Sequence, residues 1–275
     1  MLEKILAAAQ KIRDELPGEL GFAFYDLKTG KSCYLQEKVP FPTASVIKIY
    51  LLTELFRQAE AGLVDLTKRV EITPEEAAPG SGVLNKLHYP VSLTLYDHAV
   101  LMMQQSDNTS TDVVLETIGR ESVRRLFADL DLQESAFGEQ LYIREGDRQR
   151  KGYYNTVPTD TSPRNLAKML RALYHGEVMS LERSREALEL MQPQPKVARL
   201  EKYLPKGTVV RRKTGSEPSV TNDAGIVFTD KGDYIIAVFY NARNAPQDAI
   251  EDPRRLRIED AMARLSRAVF DIYTA

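Results

Sequence analysis

The sequence is poor in the side chains that hold metal ions and disulfides. It has a single cysteine, Cys33, and three scattered histidines, His88, His98 and His175. One cysteine excludes an internal disulfide and a zinc site built from CxxC pairs. Three dispersed histidines without an HExxH pattern argue against a histidine-built metal centre. We therefore expect a protein that needs no metal ion and no other cofactor.

Long apolar runs and a strong excess of one charge are also absent. No stretch approaches the roughly 20 apolar residues that a membrane-spanning helix needs, so we expect no membrane span. The 37 basic and 39 acidic side chains give a net charge of −2. This balance argues against a protein that binds nucleic acids by neutralising their phosphates.

The first residues do not have the pattern of a secretory signal peptide. Charges recur every few positions in residues 2–16, and the apolar side chains fall at helical spacing, which predicts an amphipathic surface helix. Two locations stay open at this point. The protein is cytoplasmic if the chain begins at Met1, and periplasmic or secreted if a signal peptide has been removed.

The remaining composition is that of a soluble globular protein, with 43% hydrophobic and 28% charged residues among 275. This length suits one large domain or two interlocked lobes. Strand-like runs at 20–26 and 31–35 flank a turn at Gly30 and predict a β-hairpin. A long block with helical patterns follows, from Ser45 to near His175. Further strand-like runs precede a closing helix, at residues 208–210, 224–228 and 234–240.

Hairpins, rather than strands alternating with helices, indicate an antiparallel sheet in an α+β fold. We expect residues 1–48 and 193–275, the two chain ends, to build one lobe from this sheet and its flanking helices. Residues 49–192 are expected to form an all-helical lobe inserted between them. A cleft between two such lobes is a common place for an active site.

The first candidate for chemistry is a Ser-x-x-Lys motif at Ser45 and Lys48. The residues around and after it are apolar on nearly every side, which predicts a buried helix. Burial lowers the pKa of a lysine and makes a neutral amine base accessible, one helical turn from the hydroxyl of Ser45. A helix start also offers backbone N–H groups to an oxyanion. The alternative is a capping serine and a lysine that reaches solvent, since the motif is common by chance.

Two further motifs follow along the chain. A Ser-Asp-Asn motif at Ser106 lies between two apolar helical segments, and by itself it is better explained as a polar turn with a helix cap. A Lys-Thr-Gly motif at Lys213 ends a strand-like run, where the glycine allows a ligand to approach the backbone closely. Its alternative is a basic strand end that leads into a turn.

A Ser-x-x-Lys, a Ser-Asp-Asn and a Lys-Thr-Gly motif in this order are the signature of class A β-lactamases and penicillin-binding proteins. The sequence therefore resembles the serine β-lactamase family over nearly the whole chain. Residues 21–48 look like the hairpin and nucleophile helix of that family, and 161–163 look like the helix start after its active-site loop. Residues 222–223 resemble the strand after its third motif. The resemblance implies the two-lobed β-lactamase/transpeptidase fold.

The resemblance also implies a role for each motif residue. Ser45 looks like the acylated nucleophile, Lys48 like its base partner and Ser106 like the proton shuttle to the leaving nitrogen. The backbone N–H groups of Ser45 and Ser216 resemble the oxyanion hole. Substrate contacts are implied for Asn108 at an amide, for Lys213 and Thr214 at the carboxylate, and for Ser216.

One departure from the family pattern concerns the loop before residue 161. Class A enzymes carry a Glu-x-x-Leu-Asn motif there, whose glutamate activates the deacylating water, and residues 143–155 lack it. Glu145 and Asp147 are the only carboxylates in this stretch, and Asn155 stands where the family has its asparagine. We assign the deacylating base to Glu145. The alternative is that both carboxylates only pair with the arginine and lysine side chains around them.

A second departure is Thr221, at a position where many members have an arginine for the substrate carboxylate. Arg199 lies before the Lys-Thr-Gly motif, where some members supply that arginine instead. We expect Arg199 to take this part. The alternative is an ordinary surface arginine.

Three functions compete at this point. A β-lactamase of class A type would open β-lactam rings through an acyl-enzyme on Ser45. A related peptidase or esterase would turn over a peptide or an ester, and a penicillin-binding sensor would be acylated without turnover. The expected partner is a small β-lactam or peptidoglycan-like substrate, and the expected state is a monomer.

Overall fold

The computed structural model describes residues 1–138, 159–192, 199–242 and 252–275 of the protein. In chain order, its strands are β1 (Glu19–Asp26), β2 (Ser32–Leu35), β3 (Phe41–Pro42), β4 (Arg69–Ile72), β5 (Val91–Thr94), β6 (Asp160–Thr161), β7 (Val210–Glu217), β8 (Val220–Val227) and β9 (Tyr234–Asn241). Its α-helices are α1 (Leu2–Glu15), α2 (Lys48–Glu60), α3 (Leu95–Gln104), α4 (Asn108–Ile118), α5 (Arg120–Asp129), α6 (Pro163–Tyr174), α7 (Leu181–Leu190) and α8 (Asp252–Thr274). The predicted α+β class is confirmed.

Strands from both ends of the chain form one antiparallel sheet, in the order β2-β1-β9-β8-β7. β1 pairs with β9 along its whole length, from Glu19 opposite Asn241 to Asp26 opposite Tyr234. β1 and β2 pair around the turn that contains Gly30, which confirms the predicted hairpin. The sheet thus joins the first strand of the chain to its last.

The sheet is covered on both faces. β8 and β9 are buried at every position. This matches the apolar sequence of β9, whereas β8 also buries the polar residues Thr221, Asn222 and Asp223. Alternate side chains of β1 belong to different cores, because successive residues of a strand point to opposite faces. Phe22 and Phe24 pack with residues of α1 and α8, whereas Ala23 packs with residues of α2 and α6. The predicted terminal helices therefore lie together on one face.

A group of helices around α2 lies against the other face of the sheet. Every residue from Lys48 to Phe56 is buried, as the apolar sequence on all sides of this helix predicts. α2 packs against α3, α4, α5 and α7, and α6 packs against β1 and β9. The boundaries of the two lobes at 48/49 and 192/193 stay a prediction. Within the described ranges, no helix is long and apolar enough to cross a lipid bilayer.

Two local features differ from the sequence-based expectation. The region predicted as one helical block also contains the short strands β4, β5 and β6. β4 pairs with β5, and β6 pairs with β3, which lies just before the block. In addition, Ser45 lies in a 3₁₀ turn, Ala44–Ile47, and α2 begins only at Lys48. We call Ala44–Ile47 the Ser45 turn.

Candidate active site

The Lys-Thr-Gly motif lies directly against the Ser45 turn. A Cβ atom added to Gly215 on β7 would lie 2.7 Å from the carbonyl oxygen of Thr43 and 3.2 Å from the amide nitrogen of Ser45. Real side chains do not tolerate the first of these distances, so glycine is what allows the strand to come this close. The first and third motifs are therefore neighbours, although they are far apart in the sequence.

Ser106 connects all three motifs. Its hydroxyl oxygen is hydrogen-bonded to Nζ of Lys48 at 3.0 Å and to Nζ of Lys213 at 3.1 Å. The Lys48 ammonium also donates to the backbone oxygen of Ser106 at 2.8 Å and to Oδ1 of Asn108 at 3.2 Å. Lys213 donates in addition to the backbone oxygen of Thr214 at 2.9 Å. One hydroxyl thus lies within proton-transfer distance of two amines.

The conformation of Ser106 is held by its neighbour Asp107. Ser106 has a φ of +52°, in the left-handed region that favours glycine. Asp107 caps α4 by accepting from the N–H of Ser110 at 2.9 Å. Its other oxygen accepts from the N–H groups of Val83 and Leu84, at 2.6 and 2.9 Å. The predicted helix cap is present, and it fixes the turn that carries Ser106.

Both lysines of the site are almost completely buried, with 0% of Lys48 and 1% of Lys213 exposed. Burial and the nearby charge of Lys213 hold the pKa of Lys48 well below its usual value. Burial and the neighbouring Arg212 lower the pKa of Lys213 to about 7. The lowered pKa makes the neutral amine of Lys48 more accessible as a base. At neutral pH, Lys213 is divided between its two charge states.

Arg199 is not a surface residue, because none of it is exposed. Its guanidinium donates to the backbone oxygens of Gly215 at 3.1 Å and Asn222 at 2.7 Å. It also donates to the hydroxyl of Ser216 at 2.8 Å and pairs with Glu259 of α8 at 2.7 Å. Arg199 thus supports the strands that carry Ser216. Its predicted contact with a substrate carboxylate stays a prediction.

The described part of the chain brings eight of the nine candidate residues into this one region: Ser45, Lys48, Ser106, Asn108, Arg199, Lys213, Thr214 and Ser216. Glu145, with Asp147 and Asn155, lies outside the described residues. The assignment of the deacylating base to Glu145 therefore stays a prediction, as do the individual roles of the other residues.

Sequence reasoning missed the buried charges behind the site. Arg212, 2% exposed, pairs with Asp223 at 3.1 Å and with Glu201. It neighbours Lys213 on β7 and points to the opposite face of the sheet. The available signal was the run of three basic residues in a strand, Arg211, Arg212 and Lys213, since at least one of them must face inward and an inward-facing arginine requires a buried acidic partner. Glu259, the partner of Arg199, carries no local signal because it is one of several charged residues on α8.

The described residues include no group of three His, Cys, Asp or Glu side chains that could hold a metal ion. The predicted independence from metals and other cofactors stays a prediction. The arrangement does contain a serine in a tight turn, a buried amine base and a hydroxyl between two amines. Such a set is suited to acyl transfer through a serine ester.

Known proteins share this organisation. The model of a family described as "Beta-lactamase enzyme family" matches residues 2–273. Beta-lactamase VEB-1 of Pseudomonas aeruginosa is 25% identical over 234 residues, which cover 80% of this chain and 76% of that protein.

Two solved structures extend the similarity to three dimensions. A beta-lactamase from Sphaerobacter thermophilus has a TM-score of 0.85 and 27% identity, over 100% of this chain and 97% of that one. A mutant of PBP-A, in an acyl-enzyme complex with penicillin G, has a TM-score of 0.80 and 26% identity, over 99% and 96% of the two chains. With the family match over nearly its whole length, this chain belongs to the beta-lactamase enzyme family.

Proposed function

We propose that the protein is a serine hydrolase of the class A β-lactamase type, which opens β-lactam rings through an acyl-enzyme on Ser45. The observation that carries this proposal is the Ser106 hydroxyl, hydrogen-bonded to the buried amines of Lys48 and Lys213. It supplies a path for protons beside a nucleophile and next to positive charge. Membership of the family supports the same reaction class.

Acylation begins with the neutral amine of Lys48, which takes the proton of the Ser45 hydroxyl. The serine oxygen then bonds to the carbonyl carbon of the lactam, and the carbonyl oxygen becomes an oxyanion. The backbone N–H groups of Ser45 and Ser216 stabilise this charge, since fixed donors cost no reorganisation when the charge develops. The close approach of Gly215 to the Ser45 amide supports this pairing of the two donors.

Cleavage of the ring needs a proton on the leaving nitrogen. Ser106 donates its hydroxyl proton as the C–N bond breaks, because an amine anion is too basic to leave unprotonated. The Lys48 ammonium, 3.0 Å from the hydroxyl oxygen, returns a proton to Ser106. Lys48 is then neutral again, and the penicilloyl group is attached to Ser45 as an ester.

Substrate binding uses the opposite wall of the cleft. The charged form of Lys213 and the hydroxyl of Thr214 hold the carboxylate of the β-lactam, and Asn108 contacts its amide. Arg199 acts through Ser216, whose hydroxyl it holds at 2.8 Å. A carboxylate that enters this buried site also favours the protonated form of Lys213, since the two charges attract strongly there.

Deacylation needs a base that activates a water molecule for attack on the ester. We assign this base to Glu145. The water proton passes to the carboxylate and the water oxygen bonds to the ester carbon. The bond between that carbon and the Ser45 oxygen then breaks, and the carboxyl group returns the proton to the serine oxygen. Lys48 is the alternative base, because its amine is neutral again after acylation and its pKa is well below the usual value.

A second candidate function is a penicillin-binding protein that is acylated with little or no turnover. Similarity to PBP-A, whose mutant is known as an acyl-enzyme complex with penicillin G, favours this possibility. A peptidase or esterase that turns over a peptidoglycan-like substrate is the third candidate. All three share acylation of Ser45. The penicillin-binding protein differs from the β-lactamase in the fate of the ester, and the peptidase or esterase differs in its substrate. We expect a monomer in every case.

Exchange of the nucleophile tests the proposal. Ser45→Ala should abolish both covalent labelling by a fluorescent penicillin and hydrolysis of a chromogenic cephalosporin. Ser184→Ala is a matched control, because this buried serine on α7 has a hydroxyl without a hydrogen-bond partner in the described structure. The control should keep both activities. Labelling of Ser45→Ala at the wild-type rate would show that another residue is acylated.

A further inference from the structure

The side chain of Asn222 reaches from β8 to the chain just before Ser45. It is completely buried, and its Nδ2 donates to the carbonyl oxygen of Pro42 at 2.8 Å and to that of Thr43 at 3.1 Å. Both donor positions of the amide are therefore used on two consecutive carbonyls. These two carbonyls belong to the residues that lead directly into the Ser45 turn.

The remaining polar atoms of Asn222 are held by the sheet. Its Oδ1 accepts from the N–H of Tyr240 on β9 at 3.3 Å, and its backbone oxygen accepts from Arg199 at 2.7 Å. Asn222 also lies opposite Gly215 in the pairing of β7 with β8. Because the side-chain amide of Asn222 is hydrogen-bonded at both its oxygen and its nitrogen, the position of the sheet determines the positions of the two carbonyl groups that the amide binds.

The Ser45 turn has a backbone conformation that depends on such support. Ala44, the residue after Thr43, has a φ of +45°, which side-chain-bearing residues rarely adopt unless their surroundings hold them there. Relaxation of Ala44 would rotate the peptide group that carries the N–H of Ser45. Thr43 is anchored on its other side, where its N–H and its hydroxyl both donate to the backbone oxygen of Thr159 at 3.0 Å.

We propose that Asn222 is a positioning residue that fixes the N–H of Ser45 relative to the N–H of Ser216, and thereby sets the geometry of the oxyanion hole. The inference rests on the proposed acyl transfer at Ser45. Asn222 touches neither the substrate nor the reacting atoms. It acts through the carbonyls of Pro42 and Thr43, and Gly215 keeps the partner strand at the distance that this geometry needs.

The inference predicts an effect that a purely structural role does not produce. Loss of any buried hydrogen bond lowers stability. Loss of these two should in addition weaken the binding of tetrahedral adducts and slow acylation, while the first, non-covalent binding of substrate changes little. A shift of a catalytic group by about 1 Å can cost on the order of 100-fold in rate.

Binding of phenylboronic acid measures the oxyanion hole without turnover. Its boron accepts an electron pair from Ser45 Oγ, the serine proton passes to Lys48, and a boron-bound oxygen takes the place of the oxyanion. We expect the dissociation constant to rise about 10–100-fold in Asn222→Ala. The rate of acylation by saturating penicillin should fall by a similar factor. Asn222→Asp keeps the size of the side chain and its acceptor, loses the paired donors, and should show the same loss.

Asn241→Ala is the matched control. It removes the same amide group from β9, where Asn241 is 5% exposed and faces Glu19 and Val220. The control should bind the boronic acid as the wild type does, at a melting temperature lowered by a similar amount. Should Asn222→Ala not fold, Asn222→Asp decides by itself.

The outcomes separate this inference from the proposed function. Wild-type boronate affinity in a folded Asn222 variant would overturn the inference, even if penicillin is hydrolysed normally. Weaker boronate binding in both Asn222 variants, with an unaffected Asn241→Ala, supports the inference even if penicillin does not acylate the wild type. In that last case only the β-lactam specificity of the proposed function fails.

Discussion

In the proposed function, Lys213 must be charged to hold a substrate carboxylate, yet its surroundings disfavour the charge. It is 1% exposed, and burial together with Arg212 lowers its pKa to about 7. A lysine with a lowered pKa is charged below that pKa and neutral above it. Free enzyme therefore loses the carboxylate-binding form of Lys213 as the pH rises through neutrality.

This residue makes the affinity for carboxylate substrates depend on pH. We expect KM for a penicillin to increase as the pH rises through about 7, because a growing fraction of Lys213 is neutral before substrate binds. Lys213→Arg keeps a positive charge throughout this range and should remove the increase. Initial rates of penicillin hydrolysis across the range provide the measurement. An equally steep rise of KM in Lys213→Arg would mean that another group is titrating.

The deacylating base can also be identified by substitution of single residues. If Glu145 activates the water, Glu145→Gln should leave acylation of Ser45 nearly unchanged and slow deacylation about 10²–10⁴-fold. Stopped-flow hydrolysis of a chromogenic cephalosporin should then show a burst before a slow steady state. Asp147→Asn is the control. A change confined to Asp147→Asn would move the role by two residues, and no change in either variant would favour Lys48 as the base.

Among the elements, β7 lies close against the Ser45 turn. Gly215→Ala would place a Cβ atom 2.7 Å from the backbone oxygen of Thr43, and this oxygen cannot move without moving the turn. We expect acylation by fluorescent penicillin to slow on the order of 100-fold, as a displaced nucleophile predicts. Gly62→Ala is the control for the loss of a glycine.

Gly62 lies just after α2 and has open space where a Cβ would be, although its φ is +71°. Its exchange should lower the free energy of unfolding by about 1 kcal/mol through backbone strain and leave acylation unchanged. Chemical denaturation and the labelling rate, measured on both variants, separate strain from displacement of the turn. Normal acylation in Gly215→Ala would contradict the close contact.

The elements also show what the sequence could and could not predict. The hairpin of β1 and β2, the buried helix α2 and the closing helix α8 were predicted, because each is long enough to display a period or a turn signal. β3 and β6 have two residues each, too few to show any alternation.

The motif residues of the site could be predicted from the sequence, but the residues that hold them in place could not. Ser45, Lys48, Ser106 and Lys213 carry local motifs that are recognisable in one chain. The residues that lead into the 3₁₀ turn of Ser45 are bound by the side chain of Asn222, a contact across the fold that no local motif indicates. Arg199 and its partner Glu259 are likewise joined only by the fold. Contacts of this kind leave no pattern in a single sequence.

At the scale of the whole molecule, the site depends on a sheet that closes only when both chain ends have folded. β1 pairs with β9, and α8 reaches the site through the pair of Glu259 with Arg199. The two buried lysines are placed in the site by this same assembly. Burial lowers the pKa of both lysines in the folded state, and unfolding restores it, since an exposed lysine binds a proton again.

The stability of the molecule should therefore depend on the protonation of Lys213. Its pKa is about 7 in the folded protein and near the ordinary lysine value of 10.5 in the unfolded chain, so the folded state binds fewer protons between these values. The contribution of Lys213 to stability consequently grows as the pH rises from 7 toward 10.5. Lys213→Met lacks this contribution.

Urea unfolding at several pH values within this window tests the linkage. The free energy of unfolding should rise less steeply with pH in Lys213→Met than in the wild type, by up to about 1.4 kcal/mol per pH unit. Lys48 titrates in both proteins, and its pKa is lowered less in Lys213→Met because the charge of Lys213 is gone, so the comparison reports the two coupled lysines together. Parallel curves for the two proteins would show that Lys213 is charged in the folded state throughout the window.

Intact-mass spectrometry after mixing with penicillin G tests acyl transfer at Ser45 in a single time course. We predict an early species heavier by one penicillin, attached to the peptide that contains Ser45, which returns to the free mass as the ester is hydrolysed. A persistent adduct on Ser45 would keep the nucleophile and assign the protein to the acylated, penicillin-binding alternative. No adduct at any time, with the antibiotic left intact, or an adduct on another residue would contradict the proposed function.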